Sequence, residues 1–337
     1  MPNKPLAVID FADAKTLETI DAKMLREAGV ELRGERVSTE DDVIRIAREA
    51  DILLDGLGPI TRRVLSALPR CKVVCRYGVG VDNVDLDAAT DNGIVVVHVP
   101  DYCVEEVSNH AIAFLLMWAK QLMPMDHAVR SGDWAGGRGT PLQKAQSVHQ
   151  QTLGLIGAGR IGMATARKAR ALSMDVLVYD PYVDPKRLAT EGLGAGGMAE
   201  VLAEGDYISV HTPLTRETRH LISREQMRAM KPTAFLINVS RGPIVDGAAL
   251  VEALREGRIA GAGLDVFETE PLSADSPLCK MPNVILSPHS AHYSPLGHVR
   301  ARRQIAEEVL RALRGEWPLN VANPAIRQRN SRLMAKP

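Results

Sequence analysis

Short apolar runs and amphipathic stretches take turns along this chain from its first dozen residues. LAVIDF (6–11) precedes a helical pattern over 16–28, VELRGERV (30–37) one over 40–50, DILLDGL (51–57) one over 61–68, and KVVCRYGVG (72–80) one over 85–91, before VVVHV (95–99). Runs this short and this rich in Val, Ile and Leu read as strands buried on both faces, with helices covering them. Strand, helix, strand, repeated, predicts a parallel sheet in a first α/β domain that ends near Pro100. The alternation resumes with TLGLI (152–156) and VLVY (176–179), then DYISVHTPL, a helix over 223–230, TAFLINVSRG, a helix over 247–256, GAGLDVF and NVILSPHSAH. Between the two sets, EEVSNHAIAFLLMWAKQL (105–122) predicts a long, mostly buried helix with Ala111, Phe114, Leu115 and Trp118 on one face. Residues 130–146 are Gly-rich and polar and read as a surface excursion. A last amphipathic helix covers 296–314, and the tail from Ala325, basic at Arg327, Arg329, Arg332 and Lys336, is expected to be frayed.

The strand at 152–156 runs into Gly157, Gly159 and Gly162, a G-x-G-x-x-G that opens a helix. Gly157 permits the tight turn, Gly159 lets backbone approach a pyrophosphate, and Gly162 lets helix and strand pack closely. The pyrophosphate would lie at the helix N-terminus, where N–H groups and the macrodipole favour negative charge. The next strand ends in Asp180, 23 residues after Gly157. A carboxylate there accepts from both ribose hydroxyls of NAD and repels a 2′-phosphate. A strand before, a helix after and an acid at the next strand end together predict NAD binding.

Composition narrows the classes. A chain of 337 residues has room for two domains, and its 41 basic and 41 acidic side chains present no net field for nucleic acid or an anionic membrane. The N-terminus lacks the apolar region of a signal peptide, and no run approaches the roughly 18 apolar residues of a membrane span, so a cytoplasmic protein is expected. Cys71, Cys75, Cys103 and Cys279 form no CxxC and read as free thiols.

In open α/β sheets ligands bind beyond the carboxyl ends of the strands. That rule selects His211, Thr212, Asn238, Ser240, Arg241, Asp265, Glu268, Glu270, His289 and His292. Hydride chemistry at a carbonyl and alcohol pair needs an acid/base, a cation for substrate charge and a group that holds the acid/base in place. Histidine suits the first role, an Arg fork pairs with a carboxylate, and a carboxylate on the second ring nitrogen fixes the tautomer. Singly, each of these residues is more often an ion pair or a cap. At the ends of consecutive strands, Arg241, Glu270 and His289 make a plausible set. A second glycine loop, Gly78, Val79 and Gly80 in RYGVGVDNVD, also follows a strand, and it reads either as an amide nest for a small anion or as a plain turn. His289 and His292 make H-x-x-H, but no further ligand stands at metal spacing and no metal is expected.

From Arg76 to about Leu310 the chain resembles the D-isomer-specific 2-hydroxyacid dehydrogenase family, through RYGVGVDNVD, GLIGAGRIG, YDPY, DYISVHTPLTRETRHLI, LINVSRGPIVDGAALVEALREGRIAGAGLDVFETEPL and NVILSPHSA. The resemblance implies an α/β subunit of two doubly wound parallel-sheet domains with a cleft between them. One is a flavodoxin-like substrate domain over 1–103 plus 294–337, the other a Rossmann NAD domain over 104–293. It implies a homodimer that interconverts a 2-keto acid and its D-2-hydroxy acid. Arg241 would bind and polarise the keto acid, His289 would supply the proton, and Glu270 would hold His289 protonated. NAD contacts would come from Gly157, Gly159, Arg160, Ile161, Gly162, Asp180, Thr212, Pro213, Val239, Arg241, Asp265 and His289. Substrate contacts would come from Gly78, Val79, Gly80, Arg241 and His292. The segment PDYCVEEVSNHAIAFLL is similar to the branch that includes the C-terminal-binding-protein corepressors, which carry a tryptophan where this chain has His292. An NAD(H)-sensing binding protein with little turnover is therefore the alternative expectation.

Overall fold

The structure is a computed structural model that describes residues 4–13, 15–56, 58–329 and 331–333. The chain divides into two units, Met1–Tyr102 with Ser294–Pro337, and Cys103–Tyr293.

In the first unit β1 (Leu6–Ile9), β2 (Glu31–Gly34), β3 (Ile52–Asp55), β4 (Val73–Arg76) and β5 (Val95–Val97) form one parallel sheet in the order β2-β1-β3-β4-β5. This is the flavodoxin-like order, in which the chain leaves β1 for one side and then crosses to the other. β1, β3 and β5 are buried at every position, whereas the edge strand β2 is mostly exposed, which is why ELRG carries charge. Val8, Leu53, Val74 and Val96 meet Val43, Val64, Leu65 and Ala88 from the covering helices in one core. Thr39, Thr61 and Asp85 cap three of those helices by accepting a backbone N–H, as the short polar residue ahead of each apolar stretch dictates.

The chain returns to this unit through the helix Pro295–Leu313, which packs on the helix Ile20–Glu27 and on β4. Arg302 is buried there and donates from Nη1 to both oxygens of Asp21 at 3.2 Å. The tail is held rather than frayed. Val321 bridges to Val97, Ile326 is fully buried, Arg329 pairs with Asp91 at 2.7 Å, and Arg332 donates to the carbonyls of Leu68 and Cys71 at 2.7 and 3.1 Å. Lys336 lies outside the described residues.

The second unit is a seven-stranded parallel sheet of β6 (Thr152–Ile156), β7 (Asp175–Tyr179), β8 (Gly194–Ala195), β9 (Tyr207–Val210), β10 (Phe235–Asn238), β11 (Gly261–Leu264) and β12 (Val284–Leu286). Its order, β12-β11-β10-β9-β6-β7-β8, reverses direction at β6 and opens a crevice beyond the ends of β6 and β9. One face is sealed by the helix Val104–Ala119, which packs on the helix Arg160–Ala171 and on β10 and β11. The excursion at 130–146 is partly helical, with turns at Trp134–Gly137 and Thr140–Lys144, preceded by the helix Leu122–Arg130. Asp133 accepts the Gly136 N–H at 2.8 Å and starts the first of those turns, a local cap that outweighs the glycines. No helix among the described residues is long and apolar enough to cross a membrane.

Candidate active site

Gly157, at the end of β6, has φ +97, a left-handed conformation that glycine adopts without strain. A Cβ there would stand 2.9 Å from the backbone of His211 and Thr212, so the glycine turn and the end of β9 close on each other. A Cβ on Gly162 would stand 2.1 Å from the Gly157 carbonyl, which shows how tightly helix and strand approach. Around the Cβ position of Gly159, in contrast, nothing lies within 4 Å. Arg160, Ile161 and Gly162 form the first turn of the Arg160–Ala171 helix, with no side chain capping it.

Asp180, just past β7, accepts from Ala158 N–H at 2.8 Å and from Tyr182 N–H at 2.9 Å, one bond per oxygen. Each oxygen keeps capacity for a further donor. Beyond β9 the Thr212 hydroxyl and His211 Nδ1 are buried without a partner among the described residues. Burial pushes the His211 ring down to about 3, so it is neutral at working pH. An open helix N-terminus, a clamped carboxylate and orphaned polar atoms beside the turn fit a dinucleotide. Pro213 is exposed and Val239 buried, each just past the end of its strand.

The next strand ends bring together Arg241, Glu270 and His289. Ser240 donates to Val210 O at 2.9 Å and Asn238 donates to Arg241 O at 2.9 Å, which fixes the turn that presents Arg241. A Cβ on Gly242 would lie 1.9 Å from the Phe267 carbonyl carbon, so this turn lies directly against the Phe267–Glu270 loop. Glu270 Oε1 accepts Phe267 N–H at 2.9 Å, and Oε2 faces His289 Nδ1 at 2.7 Å. Burial would raise the Glu270 carboxyl, but the His289 bond, the Phe267 N–H and the charges of His289 and Arg241 together hold it below the usual range. With Nδ1 committed to Glu270, His289 offers Nε2. His289 is itself left-handed at φ +51, and the His292 ring stands edge-on to it, centroids 5.9 Å apart. Glu268, also selected by the strand-end rule, pairs instead with His220 at 2.6 Å.

Asp265 is almost fully buried, and its oxygens accept from Ser287 Oγ at 2.5 Å, Ser290 N at 2.9 Å and Ala291 N at 2.9 Å. It therefore grips the loop that carries His289. Ser287 and its neighbour His110, 2.8 Å away, carry no signal in the sequence, because nothing local marks a contact across 177 positions.

In the first unit the Gly78–Gly80 loop is braced from its own side. His98 Nδ1 donates to Val79 O at 2.8 Å, Arg76 Nε donates to Asn83 Oδ1 at 3.1 Å, and Asn83 donates to Asp55 at 2.8 Å. Gly78 and Gly80 are not left-handed. A Cβ on Gly78 would stand 3.2 Å from the Arg76 guanidinium, and the glycine makes room for that group. Asp10 and Asp55, at the ends of β1 and β3, are both fully buried. Asp10 is pushed up to about 8, first by burial and then by the charge of Asp55.

The NAD-binding domain model of the D-isomer specific 2-hydroxyacid dehydrogenases matches residues 112–291. The glyoxylate reductase of Korarchaeum cryptofilum is 40% identical over 285 residues, 84% of this chain and 86% of that protein. The D-3-phosphoglycerate dehydrogenase of Methanocaldococcus jannaschii is 38% identical over 89% of this chain, which spans only 57% of that longer protein. The crystal structure of the Aquifex aeolicus D-lactate dehydrogenase complexed with NAD and lactic acid superposes with a TM-score of 0.82, at 29% identity over 94% of this chain and 99% of that one. With two parallel α/β sheets, a dinucleotide motif and these relatives, the chain belongs to the D-isomer specific 2-hydroxyacid dehydrogenase family and is an NAD-dependent oxidoreductase of 2-hydroxy acids.

Proposed function

We propose that this enzyme works as a reductase of a short 2-keto acid, with Arg241, Glu270 and His289 as its chemical residues. The observation that carries the reading is the 2.7 Å contact between Glu270 and His289 Nδ1, beside the turn that presents Arg241. Bound NADH supplies the hydride. Arg241 pairs its fork with the substrate carboxylate and draws electron density from the adjacent carbonyl. His289 gives its Nε2 proton to the carbonyl oxygen as that oxygen gains charge, and takes it back in the reverse reaction. Glu270 keeps the ring oriented and offsets the imidazolium charge. The unit that contains Gly78, Val79 and Gly80 serves as the substrate domain, and the unit of 103–293 holds the cofactor through the Gly157–Gly162 turn and the Asp180 carboxylate.

A short substrate is favoured by the glyoxylate reductase name of a 40% identical relative and by a polar imidazole at His292. The test is NADH oxidation by the purified protein with glyoxylate, hydroxypyruvate, pyruvate, 2-ketobutyrate, 2-ketoisocaproate and phenylpyruvate. Saturable turnover on a short member at a kcat/KM of roughly 10⁴ M⁻¹s⁻¹ or more is expected. Turnover confined to the bulky members would overturn the size assignment, and none on any would revive the NAD(H)-sensing alternative.

The working form is a cytoplasmic homodimer. Leu122, Met123, Val129, Trp134 and Leu142 are large apolar side chains left exposed over one short segment, and a second copy would cover them. Light scattering should give twice the 36.6 kDa chain mass, and Trp134→Glu should shift it to the monomer.

A further inference from the structure

We propose that His110 is a positioning residue for the reaction, acting through Ser287 and Asp265 on the loop that carries His289. The inference rests on His289 being the proton donor.

The bonding order follows from proton counting. Ser287 has one hydroxyl proton, and it lies on the 2.5 Å bond to the Asp265 carboxylate, which accepts. At 2.8 Å from the same hydroxyl oxygen, His110 Nε2 must then donate, which fixes the His110 tautomer. The relay therefore runs from His110 to Ser287 to Asp265, and Asp265 in turn accepts the N–H groups of Ser290 and Ala291 at 2.9 Å each. The Asp265 carbonyl accepts the N–H of His289 itself at 2.7 Å. Every residue from 289 to 291 is thus tied to one aspartate. His289 needs this restraint, because a non-glycine residue in left-handed backbone stays there only where its surroundings dictate it.

The origin of the relay is rigid. His110 stands on the Val104–Ala119 helix with its ring edge-on to Phe114 one turn later, centroids 4.6 Å apart. Phe114 presses on β11 at Gly263, where a Cβ would stand 2.9 Å from the ring. A residue that only filled space here would need neither the nitrogen nor its 2.8 Å bond to Ser287.

The test compares His110→Ala, His110→Gln, Ser287→Ala and the double variant His110→Ala/Ser287→Ala, with His289→Ala as reference. Each is measured for kcat and KM on the best keto acid, for NADH Kd and for Tm. His110→Ala should lower kcat about tenfold while NADH Kd stays within twofold. Glutamine, whose amide can still donate to Ser287, should restore most of the rate. Ser287→Ala should match His110→Ala, and the double variant should be no worse than either. An unchanged kcat, a fall in Tm without a fall in kcat, or losses that multiply in the double variant would each overturn the proposal. If His289→Ala itself retains full activity, the underlying reading of the site is what fails; if it is inactive while His110→Ala is normal, only this inference does.

Discussion

Both units place carboxylates at the carboxyl ends of a parallel sheet, yet treat them in opposite ways. In the second unit Asp180 and Asp265 each accept bonds from backbone N–H groups, which tie the neighbouring loop to the carboxylate. Glu270 accepts the Phe267 N–H and faces His289, and its carboxyl is held below the usual range. In the first unit Asp10 also accepts the N–H groups of Gly56 and Gly58, at 2.9 and 3.3 Å, but burial and then the nearby Asp55 carboxylate outweigh them, so Asp10 keeps its proton up to about pH 8. Where donors converge on an acid it becomes a fixed point for a loop. Where acids converge on each other, the pair becomes a pH-dependent load on the fold.

The sharpest way to break the comparison is His289→Ala, which removes the ring that Glu270 contacts on the loop that Asp265 holds. The expected fall in kcat is the 10²–10⁴-fold typical of a lost acid/base, with NADH affinity nearly unchanged. An intact rate would detach those acids from catalysis. Next in size is Asp180→Ala. Hydrogen bonds to a charged group are worth about 1.5–3 kcal/mol, so preference for NAD over NADP should fall about tenfold or more. Equal preference before and after would show that this carboxylate only clamps Ala158 and Tyr182.

The smallest effect belongs to the first unit, and its sign is the informative part. Asp10 ionises near 8 in the folded protein and near its ordinary 3.8 in the unfolded chain. Across that window the folded state binds the extra proton, so stability falls as pH rises and levels off above it. Asp10→Asn, which keeps the donor toward Asp55, should raise Tm at pH 8.5 by about 2–4 °C, the shift of roughly 1 kcal/mol in a domain of this size. It should also flatten the decline between pH 5 and 8. A lower Tm at every pH would mean that the pair is not loaded in this way. Glu270 carries the opposite sign, stabilising above its usual range and losing that contribution as pH falls.

What could be read from the sequence follows the range of each interaction. The Gly157–Gly162 turn, Asp180 and the candidates at successive strand ends depend on local pattern and on one topological rule, and each lies where that rule places it. The Asp10 and Asp55 pair depends on β1 lying beside β3, and neither residue differs in sequence from a surface aspartate. The tail misled because its basic residues look solvated. Arg332 in fact donates to carbonyls more than 260 positions earlier, a use of charge that periodicity does not register.

That return of the chain has a consequence for the order of assembly. Residues 103–293 are contiguous and can fold as they emerge from the ribosome. The other unit waits, because Val97, Val96 and Asp21 meet Val321, Asn323 and Arg302 only after the whole intervening unit has been made. During that interval β5 and the helix Ile20–Glu27 lack the late segments that pack on them. Until residues 294–333 are made, the 1–102 segment is expected to be the stretch most open to chaperones and proteolysis.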